Sequence, residues 1–207
     1  MSPFRVALTF DAEHPDRPAV AGNAEALVAR LTERGVRATF FVQGRWAEAY
    51  PATVGQIVAG GHLVGSHSHY HARMPLLTDA GIANDLADAA AAIESAGGVG
   101  PRPWFRCPFG AGAADRRVQA VVEAAGYRHV GWHVAADDWE PGCDPATLSA
   151  AVVEGVRNHG DGAVVLLHAW PTATLEAIDA ILAGLGDSGA EFCRIDELTD
   201  IPAGVSW

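Results

Sequence analysis

The apolar positions of this chain alternate between two periods. Short apolar runs bounded by polar or glycine residues predict strands over Val6–Phe10, Ala38–Val42, Leu63–Ser66, Trp104–Cys107, Tyr127–Val134, Ala163–His168 and Glu191–Ile195. Between them, apolar residues recur with helical spacing around Ala21–Arg34, Ala47–Ala59, Asp79–Ala96, Ala114–Ala125, Pro145–Asn158 and Thr174–Leu185. Several helical stretches end in glycine, Gly35 and Gly126 among them, as a short turn from helix to strand requires. Strict alternation of strand and helix implies parallel strands joined by right-handed crossovers. Seven such units suit a doubly wound sheet or a small (β/α) barrel, and no linker, charge block or low-complexity tract divides the chain, so one domain over 1–207 is expected.

Composition narrows the functional classes. With 207 residues and 49% apolar content the chain can bury a sizeable core. No apolar run approaches the ~18 residues of a membrane span. The segment Met-Ser-Pro-Phe-Arg-Val lacks the features of a secretory signal, which leads us to expect a cytoplasmic protein. A net charge of −11 argues against nucleic acid or an anionic membrane as partner. Cys107, Cys143 and Cys193 are scattered, without C-x-x-C spacing, and read as reduced thiols.

The reactive residues fall at strand ends. Asp11 closes the first predicted strand, His67 follows the third, Arg106 lies at the end of the fourth, Asp138 and Trp139 follow the fifth, and His168 ends the sixth. In parallel α/β folds those ends meet on one face, which carries the active site. His67 and His71 are four apart, a spacing that would put both imidazoles on one side of a helical turn for a metal, with His69 pointing away. Asp11 and Glu13 alternate along an extended segment, so both can face the site; one could ligate a metal while the other takes a proton from water. Trp139 and Trp170 flank the site and could stack on a sugar ring, whereas Trp46, Trp104, Trp132 and Trp207 read as packing, and Cys107 as a buried thiol rather than a nucleophile.

These residues resemble the NodB-homology polysaccharide deacetylases, a family of carbohydrate esterases built on a distorted seven-stranded (β/α) barrel. The family's T-F-D-D-G, H-[ST]-x-x-H, R-x-P-Y-G, Asp-Trp and L-x-H motifs correspond in order to Thr9–Glu13, His67–His71, Arg106–Gly110, Asp138-Trp139 and Leu166–His168. The resemblance implies Asp11 as general base, His67 and His71 as metal imidazoles, and Arg106 as the group that orients the base. It also implies the Phe109 backbone N–H as oxyanion donor, His168 as general acid kept protonated by Asp138, and Trp139 and Leu166 as walls of the acyl pocket.

The chain departs from the family at Ala12 and Ala135, where acids are usual. Asp11-Ala12-Glu13 resembles a D-x-E variant, which makes Glu13 the expected third ligand, with Asp11 or His14 as alternatives. The implied activity is metal-assisted hydrolysis of an N- or O-acetyl group on a carbohydrate, with one divalent transition metal, Zn²⁺ before Co²⁺ or Ni²⁺. A hydrolase of a small non-sugar amide, cyclic amide or ureide on the same fold is the first rival reading. An inactive, ligand-binding homologue is the second.

Overall fold

A computed structural model describes residues 4–14 and 20–204. The chain runs through β1 (Phe4–Ala12), α1 (Asn23–Glu33), β2 (Thr39–Val42), α2 (Gly44–Ala49), α3 (Pro51–Ala59), β3 (Leu63–Ser66), α4 (Asp79–Gly97) and β4 (Trp104–Phe105). It continues with α5 (Arg116–Ala124), β5 (Arg128–His129), β6 (Val134–Ala135), α6 (Pro145–His159), β7 (Ala163–His168), α7 (Thr172–Gly186) and β8 (Ala190–Cys193). The strands follow the order β5-β4-β3-β2-β1-β7-β6, with β8 beside the first half of β1, and every pairing is parallel. This is the expected distorted (β/α) barrel. No helix among the described residues is long and apolar enough to cross a membrane.

The two faces of β1 explain the architecture. Val6, Leu8, Phe10 and Ala12 point outward into the larger apolar cluster, with Leu27 and Leu31 of α1 and Ile178 and Ile181 of α7. Phe10 stacks on Phe40 of β2 at 5.1 Å. The alternate residues point inward. Ala7 packs with Phe41, Val164 and Leu166, and Thr9 donates to the Val165 carbonyl at 2.6 Å. The same alternation carries Asp11, and Glu13 just past the strand, into the barrel mouth.

Two elements differ from the sequence reading. The helix expected over Ala47–Ala59 is broken at Tyr50, which adopts φ −129 and ψ 53 because Pro51 disfavours a helical conformation before it. The expected fifth strand, Tyr127–Val134, is divided into β5 and β6, which sit at the two edges of the sheet. The gap between them is bridged from both sides. Arg106 donates through Nε to the Val130 carbonyl (3.2 Å) and through Nη2 to the Gly131 carbonyl (3.1 Å). The C-terminal segment accepts the Gly131 and Trp132 N–H groups at the Pro202 and Gly204 carbonyls.

Helix α2 positions the loop after β3. Its first N–H groups, from Gly44 and Arg45, donate to the Ser68 and His69 carbonyls at 2.9 and 3.3 Å. A Cβ at Gly44 would lie 2.2 Å from His69 Nδ1 and 3.0 Å from the Ala89 backbone of α4, so glycine allows this close approach. Gly44→Ala is therefore expected to lower the unfolding free energy by about 1–3 kcal/mol, read as a lower denaturant midpoint at unchanged m-value. Arg106→Met is expected to cost more, about 3–5 kcal/mol, because it strands the buried Asp11 carboxylate. Adding Asp11→Asn should recover part of that loss in the same denaturation experiment.

Candidate active site

The carboxyl ends of the strands enclose a cleft of about 410 Å³ whose walls include Asp11, Glu13, His67, His71, Phe109 and His168. Each reaches the cleft by a specific local device. His67 leaves β3 and turns its Nδ1 to the Arg106 carbonyl at 3.0 Å. A carbonyl only accepts, so Nδ1 carries a proton, and the ring is held with Nε2 toward the cleft.

The His67–His71 segment is not the helical turn that its spacing suggests. Ser68 and His71 adopt left-handed backbone conformations, φ 64 and 57, and fold the loop back on itself. Asp85 of α4 holds the turn by accepting the His69 and Tyr70 N–H groups at 2.9 and 3.1 Å, and Ser68 Oγ accepts the His71 N–H at 2.8 Å. The result still brings the two Nε2 atoms to 3.2 Å from each other. His69 is directed toward Gly44 and Glu48, away from the cleft as expected.

Glu13 completes this group. Its Oε2 lies 3.1 Å from His67 Nε2 and in contact with His71 Nε2, and ligand atoms of Glu13, His67 and His71 all fall within 4.8 Å of one another. Burial alone would raise the Glu13 carboxyl pKa, but hydrogen bonds from His14, His67 and His71 outweigh it and hold the group well below the usual range. An anionic oxygen and two imidazole nitrogens converging in a buried space form a donor set that fits a divalent transition metal. Asp11 and His14 stand outside that close cluster.

Two further ion pairs flank it. Asp11 Oδ1 accepts from Arg106 Nη1 at 2.8 Å, while its Oδ2 lies 3.5 Å from His67 Nε2. Asp138 Oδ1 is 2.8 Å from His168 Nδ1, and its Oδ2 accepts the His168 N–H (2.7 Å) and the Thr174 hydroxyl (2.6 Å). Burial opposes charge on His168, but the Asp138 carboxylate beside it prevails and raises its pKa to about 9. The His168 Nε2 faces the cleft, 3.9 Å from Glu13 Oε1.

Phe109 takes φ 57 and ψ 17, and no carbonyl among the described residues accepts its N–H. Trp139 meets the His168 ring edge-on at 5.1 Å, and Leu166 and Trp170 complete the same wall. Burial pushes the Cys107 thiol up to about 12, which suits an inert group rather than a nucleophile. Trp46 is buried and Trp104 packs at the barrel interior, in line with a packing role; Trp207 lies outside the described residues.

The sequence reading passed over two lining residues. Arg73 places its guanidinium 4.3 Å over the Phe109 ring, and its position two residues after His71 was the available signal. Trp132, read as packing, does lie 5.6 Å from the Arg106 guanidinium but also lines the cleft. Nothing in its local pattern separates the two roles.

Comparison with known proteins identifies the family and the fold. A profile of the polysaccharide deacetylase family matches residues 1–130. The chain is 31% identical over 194 residues to the peptidoglycan-N-acetylglucosamine deacetylase PgdA of Listeria monocytogenes, covering 94% of this chain and 38% of that protein. It spans 59% and 38% of the lengths of the first two curated relatives it matches. Among solved structures, a family 4 carbohydrate esterase from Streptomyces lividans in complex with acetate superposes over the whole of both chains, with TM-score 0.83 and 30% identity. BA3943, a family 4 pseudoenzyme from Bacillus anthracis, superposes over 96% of this chain and 66% of its own, with TM-score 0.79 and 29% identity. Sequence motifs, barrel and relatives agree that this chain belongs to the polysaccharide deacetylase family.

Proposed function

We propose that this chain removes an acetyl group from an acetylated carbohydrate, at a site that holds one divalent transition metal, Zn²⁺ before Co²⁺ or Ni²⁺. The observation that carries the reading is the meeting, in one cleft, of the Glu13, His67 and His71 cluster with the Asp11–Arg106 and His168–Asp138 pairs. Relatives named for deacetylation of peptidoglycan N-acetylglucosamine and of chitin favour an N-acetylated sugar over a small amide.

Glu13, His67 and His71 would hold the metal, which when bound supplies Lewis-acid polarisation of the acyl carbonyl and easier deprotonation of water. Asp11, oriented by Arg106, takes the proton of the attacking water. The Phe109 N–H donates to the oxygen on which charge develops in the transition state, a contribution worth roughly 3–4 kcal/mol in other hydrolases. His168 gives its proton to the departing nitrogen, and Asp138 keeps that proton in place at neutral pH. Trp139, Leu166 and Trp170 enclose the acyl group and exclude bulk water.

The first test is acetate release from N-acetylglucosamine oligomers, peptidoglycan fragments and acetylated xylan by protein reconstituted with Zn²⁺, Co²⁺ or Ni²⁺. Release from at least one sugar is expected; release only from small amides would transfer the activity to that class. No release from any substrate would move the chain to the ligand-binding reading. His168→Ala is expected to lower kcat by about 10²–10⁴-fold while metal content by elemental analysis stays at the wild-type level; equal loss of both would remove His168 from the acid role.

The pH profile gives an independent check. An acid that must be protonated is active below its pKa, so kcat/KM should fall as pH rises through about 9. Asp138→Asn removes the charge that raises the pKa, so this alkaline limb should move to lower pH. A limb that stays in place would assign it to another group.

A further inference from the structure

We propose that His14 and Trp170 form a positioning pair that fixes Glu13 as a ligand through one oxygen, and so allow a glutamate at this place to replace the acid absent at Ala12. The inference rests on reading Glu13, His67 and His71 as the metal site. It concerns how this chain builds that site from residues that the family motifs do not supply.

The two oxygens of Glu13 have different surroundings. Oε2 lies among the imidazoles of His67 and His71. Oε1 faces the other way, 2.8 Å from His14 Nε2 and 3.4 Å from Trp170 Nε1. An indole nitrogen can only donate, so Trp170 directs its N–H at Oε1. A His14 that donates from Nε2 to the same oxygen has no lone pair on that atom to offer a metal. With Oε1 occupied by two donors, Oε2 is the oxygen left for an ion between the histidines. Hydrogen-bonded carboxylate ligands of this kind are oriented by their outer partners.

The clamp is itself held. His14 adopts the left-handed conformation (φ 59), its N–H donates to Gln43 Oε1 at 2.9 Å, and the Gln43 N–H returns to the Ala12 carbonyl at 2.9 Å. The His14 ring meets His71 edge-on at 4.6 Å and Trp170 at 6.0 Å. From the opposite side, Asn23 Nδ2 donates to the Trp170 carbonyl at 3.1 Å. Glutamate has one more rotatable bond than aspartate, so a glutamate ligand has more side-chain freedom to remove. The chain supplies that restraint from residues on either side of the cleft.

The test is the dissociation constant for Zn²⁺, measured by competition with a chromophoric chelator, for wild type, Glu13→Gln, His14→Ala, His14→Gln, Trp170→Phe and the double variant Glu13→Gln/His14→Ala. Thermal unfolding of each metal-free protein monitors folding. His14→Ala and Trp170→Phe are each expected to weaken Zn²⁺ by about 10–100-fold, and His14→Gln, which keeps a donor, by less. Because His14 acts through Glu13, the double variant should bind no more weakly than Glu13→Gln alone. Wild-type affinity in both His14→Ala and Trp170→Phe would overturn the proposal while leaving the metal site intact. Losses that add in the double variant would also overturn it, by making His14 a ligand in its own right. Affinity loss that merely tracks lowered melting temperature would reduce the pair to packing. Retention of Zn²⁺ by Glu13→Gln would instead fail the reading of the metal site itself.

Discussion

A single fully buried guanidinium organises this molecule. Arg106 has no exposed surface, and a charge in that position requires both a counter-charge and acceptors for its remaining donors. It finds Asp11 on β1 and the Val130 and Gly131 carbonyls on the segment between β5 and β6, with its central carbon 4.1 Å from the centre of the Phe41 ring. Its own carbonyl accepts from His67. One residue thus ties the centre of the sheet to the segment between its two edge strands, orients the aspartate, and turns the Nε2 of His67 toward the cleft. Lysine could not replace it, because a compact ammonium lacks the planar fork that reaches three acceptors in different directions.

The same logic of paired charges separates the roles of the other carboxylates. Glu13 is held well below the ordinary range by the imidazoles and so stays anionic, whereas His168 beside Asp138 is raised to about 9 and so stays protonated at neutral pH. Groups facing one cleft are thereby driven to opposite protonation states, an anionic carboxylate beside a protonated imidazole. Tryptophans at positions 132, 139 and 170 line that cleft and strengthen these interactions by limiting water.

Much of this was legible in the sequence because polar residues that directly follow an apolar strand have one place to go in a parallel fold. Asp11, His67, Arg106 and His168 all came from that rule. What escaped it depended on contacts distant in sequence or on backbone conformations without a periodic signature. The left-handed Ser68 and His71 are imposed by hydrogen bonds to Asp85 and to Ser68 itself, so the i, i+4 spacing of the histidines gave the right neighbours through the wrong local structure. The break at Tyr50 was written in Pro51, but apolar residues on both sides concealed it. Tyr127–Val134 read as one strand because its apolar run continues through Gly131, where the C-terminal segment crosses close enough to exclude a Cβ.

The first motif shows why a lost acid need not mean a lost ligand. Ala12 is completely buried on the helix-facing side of β1, among Phe10, Leu27 and their neighbours, so its phase along the strand points away from the cleft. Asp11 and position 13 share the opposite phase, spaced by about 7 Å of backbone for two extended residues. The side chain at position 13 meets His67 and His71 through Oε2. A glutamate has a larger choice of rotamers than an aspartate, and the donors at His14 and Trp170 narrow that choice. With Glu13 as the proposed ligand, the alanine at position 12 and the glutamate at position 13 are two parts of one structural solution, and the motif is then displaced along the strand rather than degraded.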